Sequence, residues 1–235
     1  MPNRAFEVLA GLILESGNRW GGVATRFQLA DARAALSTKG VRLHYQTRPR
    51  GASKTTDAGA VAVAALATSL PARSRSFGFA VDAQQALLLH DAAAGFVERT
   101  DGLGINVESD RLTNSRNGAT FQIMSADAPS AWGLLPHLVV VDEFAAWPEV
   151  QNSRSLWRAI FSALPKVKTS RLLLLSTPGD PAHFSFEVLE RARTSRRWRV
   201  SEVAGPCPWV SADDLDEQRA ELPDWEFRRL HLGEW

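Results

Sequence analysis

The fold of this 235-residue chain is decided by one stretch, Leu138-Val139-Val140-Val141-Asp142-Glu143. Four consecutive apolar residues, three of them β-branched, are typical of a strand that is buried on both faces of a parallel sheet. The strand ends in two carboxylates, and open α/β sheets hold their ligands at the carboxyl ends of their strands. An Asp there can hold Mg²⁺ and a Glu beside it can orient an attacking water, as in P-loop phosphoryl-transfer sites. The alternative interpretation is a strand followed by an ordinary acidic turn.

An upstream segment favours the phosphoryl-transfer interpretation. An alternating strand pattern at residues 41–45 is followed by a loop and then by an Ala/Val-rich helix pattern at residues 58–67. This is the order of a P-loop, in which backbone N–H groups surround the phosphates, a lysine reaches the outer ones and a hydroxyl binds the metal. Lys54 and Thr55 would fill the last two roles. The loop residues predicted to contact ATP are Arg48, Arg50, Gly51, Ala52, Ser53, Lys54, Thr55 and Thr56.

The loop departs from the usual G-x-x-x-x-G-K-[ST] pattern at both glycine positions. Arg48 stands at the first of them, and Ser53 stands at the one before the lysine. Because Ser carries a Cβ, a positive φ at position 53 would be strained. This degenerate loop leaves open a protein that binds a nucleotide without hydrolysing it.

Four segments resemble the large terminase subunits of tailed phages, in the same order along the chain. Pro49-Arg50-Gly51-Ala52-Ser53-Lys54-Thr55 resembles the variant Walker A of that family, which tolerates a non-Gly first position and carries an Arg four residues before the Lys. Residues 80–86 resemble its strand-to-helix segment, residues 125–136 the stretch leading into its Walker B, and residues 172–179 its coupling motif. The four segments together cover about residues 40 to 180.

This resemblance implies an α/β fold, a P-loop NTPase of the ASCE, RecA-like type with a mainly parallel central sheet flanked by helices. It implies an ATPase motor that uses ATP and Mg²⁺ to drive double-stranded DNA into a procapsid. The expected partners are DNA, the portal protein, the small terminase subunit and further copies of the chain in a ring. The expected location is the host cytoplasm and, transiently, the portal vertex of the procapsid.

The resemblance also implies a role for each residue of the site. Lys54 would neutralise the phosphates, Thr55 and Asp142 would hold Mg²⁺, and Glu143 would polarise the attacking water. Arg50 would bond the γ-phosphate and swing when it leaves. Small hydroxyl residues at a strand end can report hydrolysis to the rest of the domain, although an ordinary turn is the alternative. The predicted coupling residues are Ser176, Thr177 and Pro178.

Two further candidates lie outside these segments. Gln28 is placed where many nucleotide motors have a Gln that reads the adenine edge, although the Trp-Gln pair of the family corresponds to Asp31 and Ala32 here. A surface role is the alternative for Gln28. Arg116 belongs to a turn of exposed composition and is predicted to reach the active site of a neighbouring protomer, with an ordinary surface arginine as the alternative.

Composition adds few constraints. A net charge of +1 and a pI near 8 exclude the overall basic field of a DNA-coating protein. The single cysteine, Cys207, excludes an intramolecular disulfide and a Cys-rich zinc site. No apolar run approaches membrane-spanning length, so we expect a soluble cytosolic protein with no membrane partner. An Arg cluster at residues 191–199 could touch DNA or pair with the acidic residues at 213–217.

We predict a single domain with three parts. Residues 1–40 form an N-terminal helical segment on the adenine side, residues 41–205 the P-loop ATPase core, and residues 206–235 a closing helical segment. A nuclease of the ribonuclease H type needs carboxylates on separate strands, and those after Pro178 lie in helical or loop patterns. We therefore interpret the chain as the ATPase half of a packaging motor, with the nuclease domain absent. A helicase-like DNA-dependent ATPase is the rival class, which would need a second motor domain or further motifs.

Overall fold

A computed structural model describes residues 3–126 and 133–235. The strands are β1 Leu43–Thr47, β2 Arg75–Ala80, β3 Ile105–Val107, β4 Arg111–Asn114, β5 Thr120–Ser125, β6 Pro136–Val141, β7 Arg171–Ser176 and β8 Trp198–Glu202. The helices are α1 Arg4–Gly11, α2 Trp20–Val23, α3 Arg26–Leu36, α4 Lys54–Thr68, α5 Ala83–Arg99, α6 Gln151–Ala163, α7 Phe184–Thr194, α8 Ala212–Glu221 and α9 Asp224–Leu232. Short 3₁₀ turns follow β6 at Phe144–Ala146 and α6 at Leu164–Lys166.

The strands form one sheet in the order β3-β4-β5-β2-β6-β7-β1-β8. Neighbouring strands from β5 to β8 are parallel, whereas β3 and β4 add an antiparallel hairpin at one side. The predicted mainly parallel α/β sheet is therefore confirmed. We call the two ends of the parallel strands the carboxyl edge and the amino edge of the sheet.

Strand β6 is buried between two apolar cores, as its sequence predicts. Leu138 and Val140 face a core shared with α1, α3, α4 and α5, whereas Val139 and Val141 face a core shared with α6 and α7. Alternate side chains of a strand point to opposite faces, so an unbroken apolar run is what a strand covered on both faces requires. Helices on both faces leave the two edges of the sheet for ligands.

Most of the predicted elements are present, with ends that shift by a few residues. Asp82 caps the start of α5, where its side chain accepts a hydrogen bond of 2.8 Å from the Gln85 N–H. The sequence patterns do not predict β4 or β8. Part of the stretch before the predicted Walker B, residues 127–132, lies outside the described residues.

Candidate functional site

The loop between β1 and α4 has the conformation of an anion-binding loop. Gly51 has φ +77° and Ser53 has φ +53°, so two residues of the loop adopt left-handed backbone conformations. Such residues turn successive N–H groups toward one concave point, which attracts anions. No side chain caps the first turn of α4, so its N–H groups and the positive helix end face the same point. Ser53 therefore has the positive φ that is strained for a residue with a Cβ.

Lys54 begins α4 and is buried at the centre of this loop. Its Nζ lies 3.2 Å from Oε1 of Glu143 and donates a hydrogen bond of 3.2 Å to the carbonyl of Pro49. Only 5% of Lys54 is exposed. The Lys of the loop and the Glu that follows β6 are thus brought together at the carboxyl edge, although they are far apart in the sequence.

Thr55 and Asp142 form a second pair beside the first. The Thr55 hydroxyl donates to Oδ2 of Asp142 at 2.6 Å. Burial raises the pKa of Asp142 to about 6, and the Thr55 hydrogen bond opposes that rise. The Trp147 indole donates to the Asp142 carbonyl at 3.2 Å, so this buried Trp supports the end of β6.

Glu143 joins the predicted coupling segment to the site. Its carboxylate accepts hydrogen bonds from the Thr177 N–H at 2.9 Å and from the Thr177 hydroxyl at 3.2 Å. The Ser176 hydroxyl accepts from the Ala145 N–H at 2.9 Å. Glu143 itself has φ +44°, a left-handed conformation that turns the chain sharply after β6 and that is rare outside glycine.

Arg50 lies at the exposed rim of the loop, against α9. Its N–H donates to the Leu230 carbonyl at 2.6 Å, and the Cys207 thiol donates to its carbonyl at 3.5 Å. Burial and the Arg50 charge lower the pKa of His231 on the same helix. Within residues 3–126 and 133–235 the Arg50 guanidinium has no ion pair, so it is free to meet an anion in the loop.

The position of Arg48 opposes its predicted contact with ATP, which stays a prediction. The side chain is 1% exposed and lies beneath the loop. Its guanidinium donates to Asp57 at 2.6 Å, to Asp31 at 3.1 Å and to the Ala52 carbonyl at 3.4 Å. Burial raises the pKa of Asp57, and the Arg48 charge is the largest effect that opposes the rise. The first position of the loop therefore faces the core, where an arginine between two carboxylates supports the loop.

Gln28 belongs to the same buried group, which excludes the surface role. Its predicted adenine contact stays a prediction, and its burial opposes it. Its Nε2 donates to both carboxylate oxygens of Asp57, at 3.1 and 3.0 Å, and its Oε1 accepts from the Thr25 N–H at 2.9 Å. Trp20 donates to the same carboxylate at 2.8 Å. The sequence pattern missed this group because its members come from three separate helices.

Arg116 lies at the edge of the sheet opposite to the P-loop. The start of β5 is paired with the start of β2, which places the turn before β5 at the amino edge. The turn is exposed, as predicted, but the Arg116 guanidinium donates to the Gly102 carbonyl at 2.8 Å. A role in a neighbouring active site stays a prediction, and this hydrogen bond opposes it.

The remaining predicted residues lie in the expected loop or next to it. Ala52 is buried, Gly51 is exposed, Thr56 is half-buried in the first turn of α4, and Pro178 is buried after Thr177. The Arg cluster does not pair with residues 213–217 in the part of the chain that is described. Arg193 instead binds Glu190 and Glu202, and Arg199 binds Asp31 at 3.0 Å.

Two kinds of feature are absent from the described ranges. Among residues 3–126 and 133–235, no helix combines the length and apolar character needed to cross a bilayer. The same residues contain no group of three or more His, Cys, Asp or Glu side chains placed to hold a metal ion.

Comparison with known proteins gives matches among solved structures alone, since no family model and no curated protein sequence matches the chain. The HK97 bacteriophage large terminase superposes with a TM-score of 0.84 at 17% identity, over 98% of this chain and 54% of that one. The large terminase ATPase domain of Thermus phage P74-26 superposes with a TM-score of 0.73 at 21% identity, over 95% of this chain and 98% of that one. A third large terminase, from a thermophilic bacteriophage and in complex with ADP, gives a TM-score of 0.67 at 14% identity, over 90% of this chain and 54% of that one.

The chain therefore spans about half the length of the HK97 terminase and of the ADP-bound terminase, and nearly all of the P74-26 ATPase domain. At these identities the likeness is one of fold. The chain has the α/β P-loop fold of a phage large terminase ATPase domain.

Proposed function

We propose that this chain hydrolyses ATP as the ATPase domain of a motor that packages double-stranded DNA into phage procapsids. The observation that carries the proposal is the meeting of two pairs at the carboxyl edge, Lys54 with Glu143 and Thr55 with Asp142. These are the side chains that bind phosphate, hold a metal and orient water in P-loop enzymes. The fold shared with the large terminases of HK97 and P74-26 supports the packaging role.

The loop supplies the phosphate site. The left-handed residues Gly51 and Ser53 and the uncapped start of α4 aim N–H groups at one point, where the β- and γ-phosphates would lie. A γ-phosphate placed there would take Lys54 Nζ from the Pro49 carbonyl, because a phosphate is a stronger partner for an ammonium than a neutral carbonyl is. Arg50 would reach the same phosphate from the rim of the loop.

Thr55 and Asp142 fit a magnesium ion. A hydroxyl and a carboxylate oxygen 2.6 Å apart are oxygen ligands of the kind that Mg²⁺ takes, together with phosphate oxygens and waters. Such a site needs no larger cluster of acidic side chains, which agrees with the lack of one in the described residues. When bound, the ion would neutralise charge on the phosphate oxygens.

Glu143 would orient and activate the attacking water. Two hydrogen bonds from Thr177 fix the direction of its carboxylate, so it stays in place when Lys54 turns to the phosphate. After the γ-phosphate leaves, Lys54 would contact Glu143 again. The charge next to Thr177, which donates to Glu143, would then change. Ser176, Thr177 and Pro178 would in this way couple hydrolysis to β7 and to the chain beyond it.

The wider assembly follows from the proposed role. A packaging motor would act as a ring of copies on the portal, together with the portal protein and the small terminase subunit, in the host cytoplasm. An arginine from an adjacent copy could complete each site, as arginine fingers do in GTPases. The large terminase of the thermophilic bacteriophage, which shares the fold, has been captured with ADP and with ATP-γ-S, which supports ATP as the ligand.

The proposal is tested by nucleotide binding and turnover of the purified chain. ATP should bind in the presence of Mg²⁺, turnover should stop in EDTA, and Lys54→Ala should weaken binding itself. Arg4→Gln, which changes an exposed cation at the start of α1, is the matched control. An assay of DNA packaging into procapsids and an assay of DNA strand separation distinguish a packaging motor from a helicase. Equal ATP affinity of the wild type and Lys54→Ala would contradict the proposed site.

A further inference from the structure

Seven cations lie on three loops at the amino edge of the sheet or directly after them. The loops precede β1, β7 and β8, and these parallel strands begin in register, with Leu43 opposite both Leu172 and Trp198. The three loops are therefore neighbours in space although they are distant in sequence. We call their cations the basic groove; they are Lys39, Arg42, Lys166, Lys168, Arg171, Arg196 and Arg197.

The groove consists of two adjoining concavities that share Arg42 and Lys168. One has a volume of about 540 Å³ and is also lined by Arg196 and Arg197. The other, of about 230 Å³, is also lined by Arg171. The Arg42 guanidinium donates to the carbonyls of Lys168 and Ser170, which ties the loop before β1 to the loop before β7.

The groove holds positive charge without a counterion. Residues 37–43, 164–171 and 195–198 contain no Asp or Glu. In the part of the chain that is described, none of the seven cations forms an ion pair. Arg42 and Arg171 both line the smaller concavity, and burial together with the nearby charge of Arg42 lowers the pKa of Arg171.

Intramolecular roles account for only part of this cluster. Cations that follow α6 and α7 interact with the negative helix ends, but this attraction falls off within the last turn. Arg42 and Arg171 donate to backbone carbonyls and have a structural part. The exposed side chains of Lys39, Lys166, Lys168, Arg196 and Arg197 have no hydrogen-bond partner within the described ranges. These five exposed cations lie on neighbouring loops, and Lys168, Arg196 and Arg197 among them line the larger concavity, so they offer the charge that a polyanion requires.

We propose that the basic groove binds the phosphate backbone of double-stranded DNA, an inference that rests on the proposed motor function for the choice of DNA as cargo. Lysine is depleted in protein–protein interfaces, whereas Lys and Arg contacts to phosphate dominate DNA binding. Three of the four lysines of the chain lie in the groove, which favours DNA over an acidic protein. The contact would be independent of base sequence, because cations on loops position the duplex without reading it.

The groove and the nucleotide site lie at opposite ends of the same strands. Arg42 precedes β1 and Arg48 follows it, while Arg171 begins β7 and Thr177 follows it. DNA bound at the amino edge would therefore be held by the same two strands that end at the phosphate loop and at the coupling segment. The distance between the edges keeps DNA away from the nucleotide.

Salt-dependent binding of a short fluorescent duplex, without nucleotide, is the first test. Lys166→Gln/Lys168→Gln and Arg196→Gln/Arg197→Gln each remove two cations and should weaken binding about tenfold at low salt. Each pair should also reduce the slope of log K against log salt by about 1.8, which is 0.9 for each lost phosphate contact. The control is Arg19→Gln/Arg26→Gln, which removes two exposed cations near the carboxyl edge. Affinities and slopes equal to those of the control would overturn the proposal.

Lysine acetylation measured by mass spectrometry is the second test. It suits this chain because three of its four lysines lie in the groove and the fourth lies in the P-loop. Lys39, Lys166 and Lys168 should react in the free chain and be protected by duplex DNA, whereas Lys54, 5% exposed, should react slowly in both states. Protection by an acidic polypeptide and not by DNA would show a protein-docking site and refute the proposal. Both tests omit ATP, so DNA protection in a chain that fails to hydrolyse ATP would refute the proposed enzyme and not the groove.

Discussion

The guanidinium of Arg48 is expected to stabilise the fold by neutralising two buried carboxylates beneath the phosphate loop. It lies 2.6 Å from Asp57 and 3.1 Å from Asp31, and all three side chains are almost fully buried. Removing one member of a buried ion pair leaves an uncompensated charge and costs about 3–5 kcal/mol. Arg48→Met keeps most of the volume and removes the charge, so it isolates this effect.

The geometry places the loss in the lower part of that range. Asp31 keeps Arg199 at 3.0 Å and the Ser201 hydroxyl at 2.9 Å, so the orphaned charge is that of Asp57. Asp57 keeps hydrogen bonds from Trp20 and Gln28, which are neutral donors. We therefore expect Arg48→Met to lower the free energy of unfolding by about 3 kcal/mol. Adding Asp57→Asn removes the orphaned charge and should restore about 2 kcal/mol of that loss.

Urea unfolding followed by the fluorescence of the eight tryptophans measures both values. The slope of the unfolding free energy against urea concentration should be the same in the wild type and both variants, since the surface exposed on unfolding hardly changes. A loss below about 1 kcal/mol for Arg48→Met, or a double variant less stable than the single one, would refute the view that Arg48 acts by neutralising Asp57.

Three other substitutions probe strained or buried positions. Ser53 has φ +53°, so Ser53→Gly should raise nucleotide affinity or stability by a few tenths to about 1 kcal/mol; a drop in both, measured by titration and urea unfolding, would mean that the hydroxyl makes a needed contact. Burial, followed by the charges of two nearby arginines, lowers the pKa of His44 from 6.5 to about 4. The free energy of unfolding should therefore fall by about 1.4 kcal/mol for each pH unit as pH falls from 6.5 toward 4. His44→Leu should flatten that part of the curve of unfolding free energy against pH. Gly233 has φ +72°, and a Cβ there would collide with the Val203 carbonyl, so Gly233→Ala should cost about 2–3 kcal/mol of stability in thermal unfolding. The control is Gly205→Ala, where φ is also positive but the space is open, and it should cost about 1 kcal/mol. Equal losses would show that the collision is relieved.

The sheet and the meeting of Lys54 with Glu143 at its carboxyl edge could be predicted because local patterns determine them. An unbroken apolar run such as that of β6 is compatible with little but a strand covered on both faces, and the polar residues that end it must lie at an edge. Lys54 and Glu143 were placed in one site because parallel strands end together. Edge strand β8 was missed, although Trp198-Arg199-Val200-Ser201-Glu202 alternates apolar and polar residues as a half-buried strand does.

What local patterns could not predict are contacts between distant segments. Arg48 occupies a glycine position of the phosphate loop, so a ligand contact was the natural expectation, and only the positions of Asp31 and Asp57 show that it faces the core. The prediction for Arg116 rests on the composition of its turn. The parallel pairing of β5 with β2 decides which edge that turn occupies, and pairing partners are not determined by the turn itself. The basic groove likewise exists only because three loops meet.

Single-turnover hydrolysis of labelled ATP by the wild type and by Glu143→Gln tests most directly whether Glu143 activates the attacking water. The substitution keeps the size of the side chain and can retain an acceptor for the Thr177 hydrogen bonds, but it removes the carboxylate charge. The wild type should convert bound ATP to ADP and phosphate in the presence of Mg²⁺, while Glu143→Gln should bind ATP with similar affinity and hydrolyse it at least about 100-fold more slowly. Near-wild-type hydrolysis by Glu143→Gln, or release of intact ATP by the wild type, would contradict the proposed catalytic site.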